Sequence, residues 1–309
     1  MESGLVRQNP DTWRLGIGAS WTFGWEGGHF ETRGVAPDGS LVDVVRHRHE
    51  VELDIHRYEV SLSRTFGNGW DAVVRFPWMV KDQTAKVVLP SDASDFDRDA
   101  ARRNGFIHHR TDTYEGFSDL EIAFGKRFEN VLIDQDQLRL SLGVTLPVGN
   151  TEEDPWALGD AGLEHLHIQF GNGTFDPLLE AFYRLSINDD LGVSLFAKAR
   201  LPFYHNSKGY RGAPELTFSP RVSWTLNRKV SVSGSLNFSC FGYSDWRETG
   251  RDQNSGLFAL YAGVGGSYRF SDQLTGNAAV QFPLATKIYG SEDGLDPTPV
   301  FSLSLAYSF

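Results

Sequence analysis

The chain has 309 residues, a single cysteine, and 40 Asp and Glu against 29 Lys and Arg, for a formal net charge of -11. That balance argues against nucleic acid as a partner, since phosphate binding needs a basic surface, and the lone Cys240 excludes an internal disulfide. No apolar run is long enough for a transmembrane helix, a test that leaves membrane barrels untouched because their strands alternate in polarity.

In chain order the first pattern is WRLGIGASWTF, residues 13–23, with Trp, Leu, Ile, Ala, Trp and Phe at odd positions and Arg, Gly, Gly, Ser and Thr between them. Alternation of this kind is a β-strand with two unlike faces. It recurs along the chain and predicts strands at about 12–24, 50–66, 70–81, 117–128, 137–148, 174–185, 191–203, 214–226, 230–240, 256–270, 274–284 and 299–309. Parity breaks once, between Leu53/Ile55 and Tyr58/Val60/Leu62, which predicts a bulge near His56-Arg57.

Two kinds of connection alternate between these strands. Gly67-Asn68-Gly69, Asn188-Asp189-Asp190, Asn227-Arg228-Lys229 and Ser271-Asp272-Gln273 are hairpin turns by composition, with a longer member near 129–136. The other set is long and polar, at roughly 25–49, 82–116, 149–173, 204–213, 241–255 and 285–298. Strands entering the short-turn side end alike, as in Lys126-Arg127-Phe128, Tyr268-Arg269-Phe270 and the terminal Tyr307-Ser308-Phe309. Aromatic residues fall at two levels, and the spacing from Trp13 to Trp21 or Trp70 to Trp78 spans roughly 20 Å once the strand is tilted, close to the apolar band of such barrels. The expectation is an all-β fold: a transmembrane antiparallel up-and-down β-barrel of about 12 strands in one domain, 1–309. A periplasmic N-terminal segment, 1–11, precedes it, short turns face the periplasm and long loops face outward. A large soluble sandwich would have little reason to sort Trp and Tyr to two levels. No signal peptide leads the chain, so an exported protein would begin here in a mature or engineered form.

The face opposite the apolar one then lines a lumen. Its predicted charged lining includes Arg75, Asp119, Glu121, Arg139, Glu180, Lys198, Arg200 and Arg221. These charges either pair across a narrow bore and plug it, or line a channel. All nine histidines lie in loops or loop-side halves of strands, and two pairs, His47/His49 and His165/His167, put both imidazoles on one face if extended, a usable metal geometry. The acidic runs Asp92, Asp95, Asp97, Asp99 and Glu152-Glu153-Asp154 either bind divalent ions that bridge lipopolysaccharide or are simply solvated. Phosphate-loop and nucleophile-elbow motifs are missing, so no enzymatic reading and no cofactor is expected.

The segments Gly116-Phe117-Ser118-Asp119-Leu120-Glu121, LSLGVTLPVG at 140–149 and FGNGTFDPLLEAFYRL at 170–185 resemble the outer-membrane proteins of the MetA-pathway-of-phenol-degradation family. The likeness spans about half the chain and implies a transporter barrel in the outer membrane of a Gram-negative bacterium. It implies no assignable site residues, and the long 82–116 loop and the histidine content depart from it. The expected function is an outer-membrane channel for passive uptake or export of small solutes, whether aromatic or small polar compounds. The alternative is a closed barrel whose extracellular loops bind a metal or another partner. Expected partners are outer-membrane lipid and lipopolysaccharide, the small-molecule solute and the barrel assembly machinery.

Overall fold

A computed structural model describes residues 11–290 and 296–309. The expected N-terminal segment 1–11 therefore falls, apart from Asp11, outside the described residues, as does part of the 285–298 connection. Twelve strands make a closed antiparallel ring: β1 (Trp13–Val35), β2 (Leu41–Thr65), β3 (Trp70–Val88), β4 (Leu120–Glu129), β5 (Asp136–Leu146), β6 (Pro177–Ser186), β7 (Leu191–Arg200), β8 (Glu215–Thr225), β9 (Val230–Phe241), β10 (Leu257–Arg269), β11 (Leu274–Ile288) and β12 (Val300–Ser308). Each strand pairs with its neighbours in the chain. The ring closes where β1 pairs with β12 from Arg14↔Ser308 to Thr22↔Val300. Trp13 and Phe309 exchange both backbone hydrogen bonds at 2.9 Å, so the C-terminal aromatic residue is held at the seam.

Alternation sorts the faces as the sequence predicts. Ile17, Val60, Phe124, Leu142, Val222, Val264 and Leu303 stand exposed on the outside, as a lipid-facing band requires. Arg14, Ser61, Arg139, Ser194, Ser223 and Ser304 line the inside. Short turns are tightly built: Asn68 takes a left-handed φ of 60°, and the Asp136 carboxylate accepts the N–H groups of Val131, Leu132 and Ile133 at 2.6, 2.9 and 3.1 Å.

The loop side differs from expectation. Residues 25–49 are no loop, because β1 and β2 stay paired out to Val35↔Leu41. Lipid-facing alternation stops where the strands leave the apolar band, but the backbone ladder continues beyond it. The predicted bulge near His56-Arg57 is absent from β2, whose register with β3 runs unbroken from Arg48↔Val88 to Thr65↔Asp71. Leu53 and Ile55 therefore share the inward face of Arg57 and Glu59: the apolar side of the strand has switched, with no change in the backbone. The bulge lies in β1 instead, between the pairs Thr22↔Ile55 and Trp25↔Leu53, where Gly24 supplies the left-handed φ of 67°.

Within the 82–116 connection sits α1 (Asp95–His108), which starts on a capping box in which the Asp97 N–H donates to Ser94 Oγ at 3.1 Å. Ala100, Ala101 and Gly105 let it pack closely on β1, β2 and β3. The Asn104 side chain donates to the Arg33 carbonyl at 3.1 Å and Arg103 Nε to that of Val35 at 2.6 Å. Within the two acidic runs, the Asp97 carboxylate completes the capping box of α1 by accepting the Ser94 N–H at 3.3 Å, and Asp154 caps the short helix α2 (Pro155–Asp160), accepting from the Trp156 N–H at 3.0 Å.

Val60 is 51% exposed and pairs with Ile17 at the middle of the apolar band. Val60→Arg is expected to destabilise the barrel by about 2–4 kcal/mol, while Ser233→Arg on the inner face leaves it within about 1 kcal/mol. Urea unfolding in lipid vesicles measures both, and equal losses would mean that the two faces have been misassigned.

Candidate functional site

Inside the ring lies a cavity of about 1510 Å³, bordered by Asn130, Asn227 and Lys229 at the short-turn level and reaching Ser20, Thr217 and Gln281 nearer the loops. Its lining contains eleven Lys and Arg and only six Asp and Glu, the reverse of the whole chain's acidic balance. The two walls differ. On β3–β7 the charges are paired: the Arg75 guanidinium grips Glu180 at 2.6 and 3.0 Å and reaches Glu121 at 3.1 Å. Lys198 Nζ lies 2.7 Å from both Glu121 oxygens. Arg139 holds Asp71 through Nε at 2.9 Å and Nη2 at 2.6 Å, with Nη1 3.6 Å from Glu180. Gly125 makes room for this head group, since a Cβ there would meet Arg139 Nε at 2.8 Å. Three acids and three bases thus neutralise one another, as ions withdrawn from bulk water must.

The facing wall, β8–β12, is mostly hydroxyls and amides, with Ser219 bonded to Asn237 at 2.5 Å and Asn277 to Ser304 at 3.1 Å. Arg221 projects from this wall with no ion-pair partner among the described residues.

Of the eight predicted lining residues, Arg75, Arg139, Glu180, Lys198 and Arg221 border this cavity, Glu121 is reached through its bonds to Arg75 and Lys198, and Asp119 and Arg200 engage other partners. Asp119 is 2% exposed. Its carboxylate accepts the N–H groups of Asn172 at 2.6 Å, Gly173 at 3.2 Å and Gly149 at 3.1 Å, pinning the 149–173 connection to the rim. Arg200 pairs with Glu215, its partner in the β7–β8 register. Alternation carries no information about height along the barrel, so it could not separate these two from the residues that border the cavity.

The pinned connection crosses the loop-side mouth. On one side Asp160 pairs with Arg33 of β1 at 2.8 Å and the His165 N–H donates to the Ile107 carbonyl at 3.0 Å. Across the ring, Thr249 donates to Asp154 at 2.8 Å and Asn254 lies 3.4 Å from His167.

Beneath this strap, α1 and the β1–β2 hairpin bring six imidazoles together. His29, His49, His108 and His109 place ligand atoms within 4.8 Å of one another, as do His108, His165 and His167. The sequence expectation was two separate pairs. The structure joins His49, His165 and His167 in one cluster and sets His47 at its edge, 3.0 Å from His49. His29, His108 and His109 were missed as members because they come from other segments. The β1 bulge decides one of them: by reversing the parity after Gly24, it turns His29 inward, opposite His49. Burial, reinforced by the neighbouring rings, pushes His49 and His167 down to about 3 and lowers His108 and His109 as well. These four are therefore neutral at physiological pH, which is the form that ligates metals.

No family model and no curated protein matches the chain. Among solved structures, the COG4313 outer membrane channel from Pseudomonas putida F1 is similar with a TM-score of 0.58 at 12% identity, covering 98% of this chain and 97% of that one. The NanC porin and the P. putida toluene transporter TodX align with TM-scores of 0.46 and 0.45, at 10% identity each, covering 92% and 97% of this chain and 98% and 90% of theirs. At 12% identity the first of these establishes a shared fold, that of an outer-membrane barrel.

Removing Arg75 takes from Glu180, whose side chain is 1% exposed, its closest cation and leaves Glu121, 11% exposed, with Lys198 alone. Arg75→Ala is expected to cost about 3 kcal/mol in vesicle unfolding; a loss below about 1 kcal/mol would mean that lumen water already solvates these carboxylates.

Proposed function

We propose that the protein is an outer-membrane channel for passive movement of small polar solutes, with a preference for anions, and that its loop-side mouth is restricted by the 149–173 strap. The observation that carries this reading is the basic excess in a water-accessible lumen of a strongly acidic chain. A low-dielectric wall concentrates the field of such charges, and rings of Arg and Lys favour anion entry. Once the network on β3–β7 has cancelled itself, Arg221 remains as a cation aimed into the bore, opposite hydrogen-bonding hydroxyls and amides. A solute with a carboxylate and a few hydroxyls finds complementary groups on both walls. Fully apolar compounds find little matching surface, so the small-polar half of the sequence expectation is the better supported one. The barrel shared with the COG4313 channel is compatible with this reading and supplies no solute.

Planar-bilayer recording tests it. The wild-type barrel is expected to pass small-ion current with a reversal potential displaced toward anion selectivity in a salt gradient, and Arg221→Glu to reduce or reverse that displacement. A folded preparation that carries no current would remove the channel reading. Asp119→Ala frees three backbone donors of the strap and is expected to raise single-channel conductance severalfold. Unchanged conductance in that variant would show that the strap does not limit flow.

A further inference from the structure

We propose that His29, His49, His108 and His109 form a binding site for one borderline divalent transition-metal ion, of the Zn²⁺, Cu²⁺ or Ni²⁺ class, at the junction of α1 with the β1–β2 hairpin. Each contributes one ring nitrogen, and the four lie within 4.8 Å of one another. Hydrogen bonds to fixed backbone carbonyls assign which nitrogens carry lone pairs. His165 Nδ1 is 2.8 Å from the Leu163 carbonyl and must donate to it, so its Nε2 accepts. That Nε2 lies 2.7 Å from His108 Nδ1, which is therefore the protonated nitrogen, leaving the lone pair on His108 Nε2. The same relay runs on the other side: His47 Nδ1 donates to the Val45 carbonyl at 3.0 Å, its Nε2 accepts from His49 Nε2 at 3.0 Å, and the lone pair falls on His49 Nδ1.

His49 Nδ1 is buried with no hydrogen-bond partner, and so is His109 Nε2. His167 Nε2, on the covering strap, is a third, and unpartnered buried imidazole nitrogens gathered in one cluster are expensive in a folded protein unless something electrophilic occupies the space between them. His108 Nε2 and His29 Nε2 are 3.3 Å apart, about the ligand-to-ligand edge of a tetrahedral zinc site with bonds of roughly 2.0–2.1 Å. His47 and His165 are then orienting residues and not ligands, each fixing a ligand's tautomer through its second nitrogen, as outer-shell groups do in metal sites. His167 packs its ring against those of His108 and His109, with centroids 4.7 and 5.6 Å apart, and covers the site from the strap. Four neutral imidazoles without a carboxylate match zinc, copper or nickel and discriminate against calcium and magnesium, which require oxygen donors. Because the ligands come from β1, β2 and the end of α1, the ion would clamp the helix to the hairpin.

The test is direct binding, independent of conductance. The purified full chain in detergent micelles, stripped with a chelator and dialysed, is titrated with Zn²⁺ against a chromogenic competitor, and Co²⁺ is used as a spectroscopic probe. One equivalent of Zn²⁺ per chain, unaffected by millimolar Ca²⁺ or Mg²⁺, and a tetrahedral Co²⁺ absorption band are expected. His49→Ala and His108→Ala should weaken binding by more than about 100-fold, and the orienting variants His47→Ala and His165→Ala by about 10–100-fold. His56→Ala and His205→Ala, which lie outside the cluster, should bind as wild type. Circular dichroism and the heat-dependent gel shift of the barrel check that each variant is folded. Absence of stoichiometric binding in the wild type, or wild-type affinity in folded His49→Ala and His108→Ala, overturns the proposal.

Discussion

Closure of the sheet is the constraint on which the rest of the molecule depends. In a bilayer core no water is available for an unpaired strand edge, so every backbone donor and acceptor must find its partner within the protein. The β1–β12 ladder provides this, down to the exchange of hydrogen bonds between Trp13 and Phe309. Once the ring is closed, the period of two assigns each side chain to lipid or lumen without further choice. The lumen must then solve the problem of its charges. On β3–β7 it does so by pairing Arg75, Arg139 and Lys198 with Glu121, Glu180 and Asp71.

That solution is lopsided, and the asymmetry has functional weight. A network pulled onto one wall leaves the bore beside the hydroxyl- and amide-rich wall for solvent, so the same charges that would plug a narrower barrel here leave a cavity. The segments 116–121, 140–149 and 170–185 meet at one place above it. Asp119 from GFSDLE binds the backbone of Gly149 and of Asn172-Gly173, and Asn150 brackets Phe117, accepting its N–H with Oδ1 at 2.8 Å and donating its own N–H to the Phe117 carbonyl at 2.9 Å. What unites these segments is the anchoring of a strap to the rim. Such a knot needs glycines for close backbone approach and a buried carboxylate to gather their N–H groups, and neither requirement names a solute.

Beyond the apolar band the strands change their logic. Outside is water and inside are α1 and the strap, so the buried face of β2 carries Leu53 and Ile55 where the lipid-facing side had carried Tyr58 and Val60. In β1 a single extra residue at Gly24 reverses the faces a second time, and that reversal sets His29 against His49. The histidine cluster therefore depends on a backbone irregularity as much as on the residues themselves.

The sequence by itself determined the strand count, the closed antiparallel barrel and the two faces within the apolar band, and it separated short turns from long connections except at 25–49, because each follows from local alternation and turn chemistry. It also predicted inward charges, among them Arg75, Glu121, Arg139, Glu180, Lys198 and Arg221. Tertiary structure alone decided which of them pair, because partners such as Arg75 and Glu180 sit on non-adjacent strands and meet only once the wall β3–β7 is assembled. It decided that Asp119 anchors a strap, since that depends on height along the barrel, to which a period of two is blind. It also decided the membership of the imidazole cluster. The spacing of His47/His49 and His165/His167 shows only that each pair shares a face, whereas the approach of His29, His108 and His109 requires the folding of α1 onto a bulged hairpin.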